Sequence, residues 1–74
     1  MTDPLLEKLG KEIKKLRKEA GYSQESFARE VKLHRTYIGA IERGEKNVTV
    51  KSLSKLTDCL GIGLSDLFEE IEIK

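Results

Sequence analysis

Long hydrogen-bond donors stand beside small residues in the stretch HRTYIGAIERG, positions 34 to 44. If this stretch is a helix, Ile38 and Ile41 face the protein interior. The outward residues are then Arg35, Thr36, Tyr37, Gly39, Ala40 and Arg43. An arginine can donate two parallel hydrogen bonds to guanine N7 and O6, and a threonine methyl group suits that of thymine. The pattern predicts a helix that enters the major groove of DNA, with Arg35 and Thr36 contacting bases. An exposed arginine on a solvated helix is the ordinary alternative.

Other polar side chains near this helix suit the DNA backbone or flanking bases. They are Gln24, Tyr37, Arg43, Lys46, Asn47 and Ser52. The Gln24 amide can reach a phosphate and the start of the next helix, although a solvated glutamine is also ordinary. Tyr37 can bond a phosphate through its hydroxyl or pack in the core. Basic side chains that neutralise phosphates make binding salt dependent, and a serine hydroxyl at a helix N-terminus also suits a phosphate.

Two short helices must position these side chains. Ser23 is placed to cap the first, which turns Phe27 inward and ends near Val31. The second begins at about position 34 or 35 and ends before Gly44. Helices this short bury little apolar surface by themselves, so further helices must support them.

A long first helix is predicted from about Pro4 to Ala20. Asp3 is a suitable N-cap, proline fits the first helical position, and Gly21 suits the left-handed residue that follows a helix. Apolar residues recur at spacings of three and four along one face. They are Leu5, Leu9, Ile13, Leu16 and Ala20.

The C-terminal third of the chain predicts two more helices. Thr49 can cap a fourth helix, which Gly61 stops. Ser65 can cap a short last helix that carries Leu67 and Phe68. Four of the five helices have a Ser, Thr or Asp at the start, and three have Gly just after the end, so the sequence predicts an all-α domain of five helices.

Length and composition limit the classes of protein that remain. A chain of 74 residues makes one domain, residues 1–74, near the lower limit for folding without disulfides or metals. A single cysteine and a single histidine leave no intramolecular disulfide and no zinc site, and no cofactor is expected. The cysteine, Cys59, is expected to be a small buried or half-buried apolar residue. No membrane-spanning run or signal peptide is present, so we expect a soluble, cytoplasmic protein.

Charge is distributed unevenly along the chain. Residues 1–55 hold 13 Lys and Arg against 8 Asp and Glu, a balance of +5, whereas residues 56–74 hold one Lys against five acids, a balance of −4. A basic body with an acidic end suits a protein that turns one face to phosphate. Ordinary solvated faces explain a split of this size as well.

Arg17 and Glu42 suggest a structural contact instead. Each follows an inward apolar residue near the end of its helix, Leu16 and Ile41 respectively. We therefore expect a partly buried ion pair that ties the first helix to the third, outside the DNA surface. His34, between the two short helices, is expected to cap the third helix or to lie near a phosphate.

These residues also resemble a known family of regulators. Residues 23–28, SQESFA, with 35–38, RTYI, and 41–44, IERG, are similar to the Cro/CI-type (XRE-like) helix-turn-helix transcriptional regulators. The similarity continues into residues 60–68, LGIGLSDLF. The pattern RTYI-x-x-IERG-x-x-N-x-T at this chain length is most similar to controller proteins of restriction–modification systems. One departure is Lys32, which stands where the family often has glycine in the turn, and there it must take a left-handed conformation at some cost.

The resemblance carries its own expectations. It implies a compact lambda-repressor-like fold, with the helix-turn-helix formed by helices 2 and 3. It implies a homodimer on a pseudo-palindromic double-stranded operator, with two dimers able to bind cooperatively. It implies both activation and repression of a restriction–modification operon. The acidic end of the chain can contact RNA polymerase or can simply keep the dimer soluble. The dimer surface is expected on the C-terminal helices, at Leu64, Leu67, Phe68 and Ile71.

Other functions stay open at this point. The regulator can be a phage-type or generic repressor, and the helix pair can instead bind a protein, as in an antitoxin-like module. An enzyme is not expected, because the sequence offers no nucleophile–base set, no paired-carboxylate pocket and no metal cluster. The residues do not give the operator sequence or the balance between activation and repression.

Overall fold

A computed structural model describes residues 3 to 72 as an all-helical bundle. The helices are α1 (Pro4–Glu19), α2 (Gln24–Val31), α3 (Arg35–Glu42), α4 (Val50–Leu60) and α5 (Leu64–Glu72). No strand occurs between residues 3 and 72. The predicted all-α fold of five helices is confirmed, and the first four helices begin and end within one or two residues of the expected positions.

Side-chain caps explain where α1 to α4 begin. The Asp3 carboxylate accepts a hydrogen bond from the Leu5 amide at 2.8 Å, and Ser23 and Ser26 cap α2 reciprocally. His34 Nδ1 accepts from the Thr36 amide at 3.1 Å, so the cap expected at α3 is present. Each cap gives an acceptor to one of the amides that have no partner inside the helix.

The expected start of α5 at Ser65 is wrong. The helix begins at Leu64, so Ser65 is already its second residue. The Asp66 carboxylate accepts a hydrogen bond from the Gly63 amide at 3.2 Å. An aspartate in the first turn also interacts favourably with the helix dipole. Asp66 therefore stabilises the start of α5, by a bond to the amide before the helix and not by the N-cap bond expected at Ser65.

Left-handed residues end α1 to α4 in the same way. Gly21, Gly44 and Gly61 have φ of 87°, 75° and 74°, and the amides around them bond back to the last helical carbonyls. Lys32 ends α2 with φ 60° and ψ 42°, the only non-glycine residue with positive φ between residues 3 and 72. The left-handed conformation expected at Lys32 is therefore present.

One apolar core joins all five helices. Its buried members are Leu9, Ile13, Phe27, Ala28, Val31, Ile38, Ile41, Leu53, Leu56, Leu67 and Ile71. The expected inward face of α1 holds at Leu9 and Ile13, but Leu5 is 52% exposed and Ala20 is also exposed. Both lie near an end of α1, where fewer helices cover this face.

A glycine that the sequence analysis did not single out lets α1 and α3 approach closely. A Cβ atom on Gly10 would lie 2.3 Å from the Ile41 carbonyl oxygen and 2.7 Å from that of Glu42. Because both neighbours are backbone atoms, no larger residue fits without moving a helix. Gly10 thus sets the distance between α1 and the C-terminal end of α3.

Candidate nucleic-acid interface

The two sides of α3 differ in burial. Ile38 and Ile41 are almost fully buried, whereas Arg35 and Thr36 are exposed in the first turn. Between residues 3 and 72, neither exposed side chain has a hydrogen-bond or ion-pair partner. The donors of Arg35 are therefore available to a partner outside the chain.

A buried ion pair holds the other end of α3. Arg17 Nε donates to Glu42 Oε2 at 2.6 Å, and Arg17 Nη2 donates to Glu42 Oε1 at 3.1 Å. A third donor of Arg17, Nη1, bonds the Tyr22 carbonyl oxygen at 2.8 Å. The two residues are 5% and 8% exposed. The ion pair expected from the sequence is present, and it fixes α3 to α1 and to the loop that precedes α2.

Gln24 belongs to the same network. Its side-chain Nε2 donates to Glu42 Oε1 at 2.9 Å. Because a carboxylate only accepts hydrogen bonds, the amide nitrogen must face Glu42. We had expected Gln24 to reach the start of α3, and it instead contacts the end of that helix. One N–H and the carbonyl oxygen of its amide remain for a DNA group.

Gly39 gives room to the side chains of Arg43 and Gln24. A Cβ atom on Gly39 would lie 3.2 Å from Arg43 Nη1 and 3.8 Å from Gln24 Oε1. The two polar groups therefore converge above the α3 backbone. On the other side, Arg43 Nε is paired with Glu45 Oε2 at 3.0 Å. Glu45 gives no signal in the sequence, because its position beside Arg43 depends on how the chain turns after α3.

The Tyr37 ring is half-buried against the core, and the Lys46 ammonium lies 5.8 Å from its centroid. Of the two roles considered for Tyr37, packing in the core is therefore the one that its ring adopts. A cation at this distance from an aromatic face is attracted to it, so Lys46 is directed to the surface beside α3.

Asn47 and Ser52 lie on either side of the α4 N-cap. The Thr49 hydroxyl accepts from the Ser52 amide at 3.1 Å, which leaves the Ser52 hydroxyl as its available group. Asn47 is exposed and borders an apolar groove between α1, α4 and α5.

The expected dimer surface needs correction at two positions. Leu67 and Ile71 are 0% and 5% exposed and belong to the core of the single chain. They have almost no surface left for a second copy, because α5 turns these positions towards the other helices. Phe68 is 40% exposed and Leu64 is partly buried.

An apolar patch next to Phe68 was not predicted. Leu5 and Val50 are 52% and 69% exposed and line one groove with Phe68. Leu5 comes from α1 and Val50 from the first turn of α4. Contiguous exposed apolar surface can mark an interaction site, so this groove is a candidate contact surface.

Within residues 3–72, the remaining candidate groups give no second site. Cys59 is half-buried, as expected, and a hydrogen bond with its side chain raises the pKa of the Tyr22 phenol. No group of three metal-ligating side chains occurs in the described part of the chain. No helix within residues 3–72 is long and apolar enough to cross a membrane.

Comparisons with known proteins agree with this geometry. A helix-turn-helix family model matches residues 13–67. The chain is 50% identical to the control protein C.MunI of a Mycoplasma species over 66 residues, covering 88% of this chain and 89% of that protein. It is 37% identical to the control protein C.BamHI of Bacillus amyloliquefaciens over 70 residues, covering 93% and 86%.

A solved structure resembles both the sequence and the fold. It is the restriction–modification controller protein C.Esp1396I, crystallised as a tetramer in complex with its natural 35-base-pair operator. The identity is 40%, the TM-score is 0.82, and the match covers 93% of this chain and 91% of that chain. The chain described here therefore belongs to the helix-turn-helix family of restriction–modification controller proteins.

Proposed function

We propose that this protein regulates transcription by binding a specific DNA operator, as the controller of a restriction–modification operon. The observation that carries the proposal is the difference between the two ends of α3. Contacts within the protein fix one end, and the side chains of the other end are exposed. Glu42 is fixed by Arg17 and Gln24, while Arg35 and Thr36 are exposed at the other end of the helix. A rigid helix with free donors in its first turn suits the major groove.

Roles within the interface follow from chemistry. Arg35 contacts guanine and Thr36 a neighbouring base, since these side chains match base edges in the groove. The other polar residues contact phosphates or flanking bases and fix the register of α3. They are Gln24, Tyr37, Arg43, Lys46, Asn47 and Ser52. The protein acts without catalysis and in the cytoplasm.

We further propose that the protein binds DNA as a homodimer. Leu5, Val50 and Phe68 surround one apolar groove, and a second copy that covers it would remove their exposed surface from water. Leu64, four residues before Phe68 on α5, is partly buried, and we include it in the proposed dimer surface. Dimerisation places two α3 helices one DNA turn apart, about 34 Å, on a pseudo-palindromic operator. The tetrameric complex of C.Esp1396I supports two dimers on one operator.

The exposed acids of α5 suit a contact with RNA polymerase during activation. Asp66, Glu69 and Glu70 are exposed on this helix. A protein surface of this charge repels DNA phosphates and stays available when α3 is bound.

Footprinting on the DNA upstream of the protein's own gene tests the proposed function. We expect a protected pseudo-palindrome at which titration first raises and then lowers transcription in vitro. Fluorescence anisotropy with mixed-sequence DNA at low salt distinguishes the main alternative, because a protein-interaction module would show no binding there. Lys46→Ala should weaken binding to all sequences alike and reduce the salt slope by about 1.

A protected site controlled by repression alone would favour a generic repressor. An adjacent methyltransferase gene and endonuclease gene would support the controller role.

A further inference from the structure

The chain reversal after α3 brings Glu45 beside Arg43. Residues two apart on a helix do not face each other. Here the Gly44 amide bonds the Ile41 carbonyl and the Glu45 amide bonds the Ala40 carbonyl, at 3.0 and 2.9 Å. This closure of the helix end requires the left-handed conformation of Gly44. The Glu45 carboxylate can therefore reach Arg43 Nε at 3.0 Å.

Arg43 is held on the surface that is expected to approach DNA. Its Nη1 lies over Gly39, and Gln24 Oε1 is close to the same position. Glu45 occupies the Nε edge, so the two Nη groups remain for a DNA acceptor. The side chains of Arg43 and Glu45 are 58% and 50% exposed. The pair is thus accessible to an incoming phosphate.

Glu45 also carries a negative charge where phosphates would lie. Lys11 and Lys14 line the same depression as Arg43 and Glu45, together with Glu7 and the ion-paired Glu42. The Glu45 carboxylate therefore cancels the one excess positive charge that this lining would otherwise carry. An exposed ion pair contributes little to stability and is easily exchanged. Its greater consequence is for binding, because like charges that meet in a complex oppose association.

We propose that Glu45 competes with DNA for Arg43 and thereby weakens the binding of the protein to the DNA beside the bases contacted by α3. The inference rests on the proposed function. A phosphate or flanking base that binds the Nη groups of Arg43 must share the guanidinium with the Glu45 carboxylate on the Nε edge or displace it. In either case the carboxylate then lies near the DNA backbone. Glu45 therefore limits the affinity of a protein whose Arg43 would otherwise be a free cation.

Glu45→Gln tests the proposal, because it removes the charge and keeps the size of the side chain. We expect the dissociation constant for operator DNA to fall about 2- to 10-fold at moderate salt, consistent with the loss of one competing ion pair and one like charge. The gain should shrink as salt rises, because both effects are screened. Glu30→Gln is the matched control. It makes the same change in net charge at an exposed residue that lines a different depression, beside Tyr22 and Cys59.

A double-mutant cycle separates competition for Arg43 from a general charge effect. In an Arg43→Ala background, Glu45→Gln should give clearly less gain than in the wild type. Unchanged or weaker binding by Glu45→Gln, or a gain equal to that of Glu30→Gln, would overturn the proposal. So would a gain that persists in full without Arg43. If the wild-type protein binds neither its upstream DNA nor mixed-sequence DNA, the proposed function itself fails and the role of Glu45 fails with it.

Discussion

The inner side of α3 is held by contacts within the protein, whereas the outer side is exposed. On the inner side, Ile38 and Ile41 are buried and Glu42 accepts hydrogen bonds from Arg17 and Gln24. On the outer side, Arg35 has no partner within residues 3–72. The inner side therefore determines where the helix lies, and the outer side is available for DNA.

This difference separates stability from specificity. Changes on the inner side should alter the free energy of unfolding, whereas changes on the outer side should alter DNA binding and leave the fold intact. The variants below test this separation, beginning with the largest expected effect.

Breaking the buried ion pair should cost the most stability. Glu42→Ala leaves the Arg17 guanidinium buried without its carboxylate, and such a change typically lowers the free energy of unfolding by about 3–5 kcal/mol. Chemical denaturation followed by circular dichroism measures the loss. Glu45→Ala, which breaks an exposed pair, is the control and should change stability by less than about 1 kcal/mol. Similar losses in the two variants would contradict the claim that the buried pair, unlike the exposed one, holds the fold together.

Replacing the whole pair should be less harmful than breaking it. The double variant Arg17→Met with Glu42→Leu leaves no uncompensated charge, so it should recover much of the stability that Glu42→Ala loses. This variant also shows whether the ion pair orients α3. If it does, the stable double variant will still bind DNA less tightly, because Gln24 has lost its acceptor on α3. Unchanged DNA binding by the double variant would show that the Arg17–Glu42 pair does not orient α3.

A side chain at position 10 should push α1 away from α3. Gly10→Ala places a methyl group against the carbonyl oxygens of Ile41 and Glu42. Overpacking of this kind costs about 1–3 kcal/mol, against a gain of about 1 kcal/mol in helix propensity. Thermal unfolding should show a net loss. A more stable Gly10→Ala variant would mean that the two helices can separate without cost.

Relieving the strained turn should give a small gain. Lys32→Gly removes the penalty of a left-handed lysine between α2 and α3, but a glycine loses more backbone entropy on folding. The net gain in the free energy of unfolding should be about 0.5–1 kcal/mol. For a domain of this size, 1 kcal/mol shifts the melting temperature by about 4–8 °C. Lys55→Gly, at an exposed position inside α4, is the matched control and should destabilise by about 1 kcal/mol. Destabilisation by Lys32→Gly would show that the lysine makes a contact worth more than the strain.

Local signals predicted the helices well because caps and stops act over a few residues. Asp3, Ser23 and Thr49 accept from amides two or three positions away, so the sequence contains the whole interaction. Ser65 is not the cap because α5 begins one residue before it, at Leu64, and Ser65 lies inside the first turn. The ion pair of Arg17 with Glu42 was predictable because each residue follows a core position near a helix end.

Contacts that depend on how helices pack could not be predicted in the same way. An apolar residue on α5 can face either its own core or a second copy, and spacing alone did not separate Leu67 and Ile71 from Phe68. Gly10 has meaning only once the C-terminal end of α3 lies against it. Glu45 meets Arg43 through a chain reversal. The DNA contacts themselves remain predictions.

The most direct test of the central claim measures the affinity of Arg35→Ala for operator DNA and for mixed-sequence DNA, and compares both values with those of the wild type. We predict that the variant unfolds at the wild-type temperature, loses about 1–3 kcal/mol on operator DNA and no longer distinguishes one base pair in each half-site. Binding to mixed-sequence DNA should change much less. An equal loss on operator and mixed-sequence DNA, with the fold intact, would contradict base recognition by the outer side of α3.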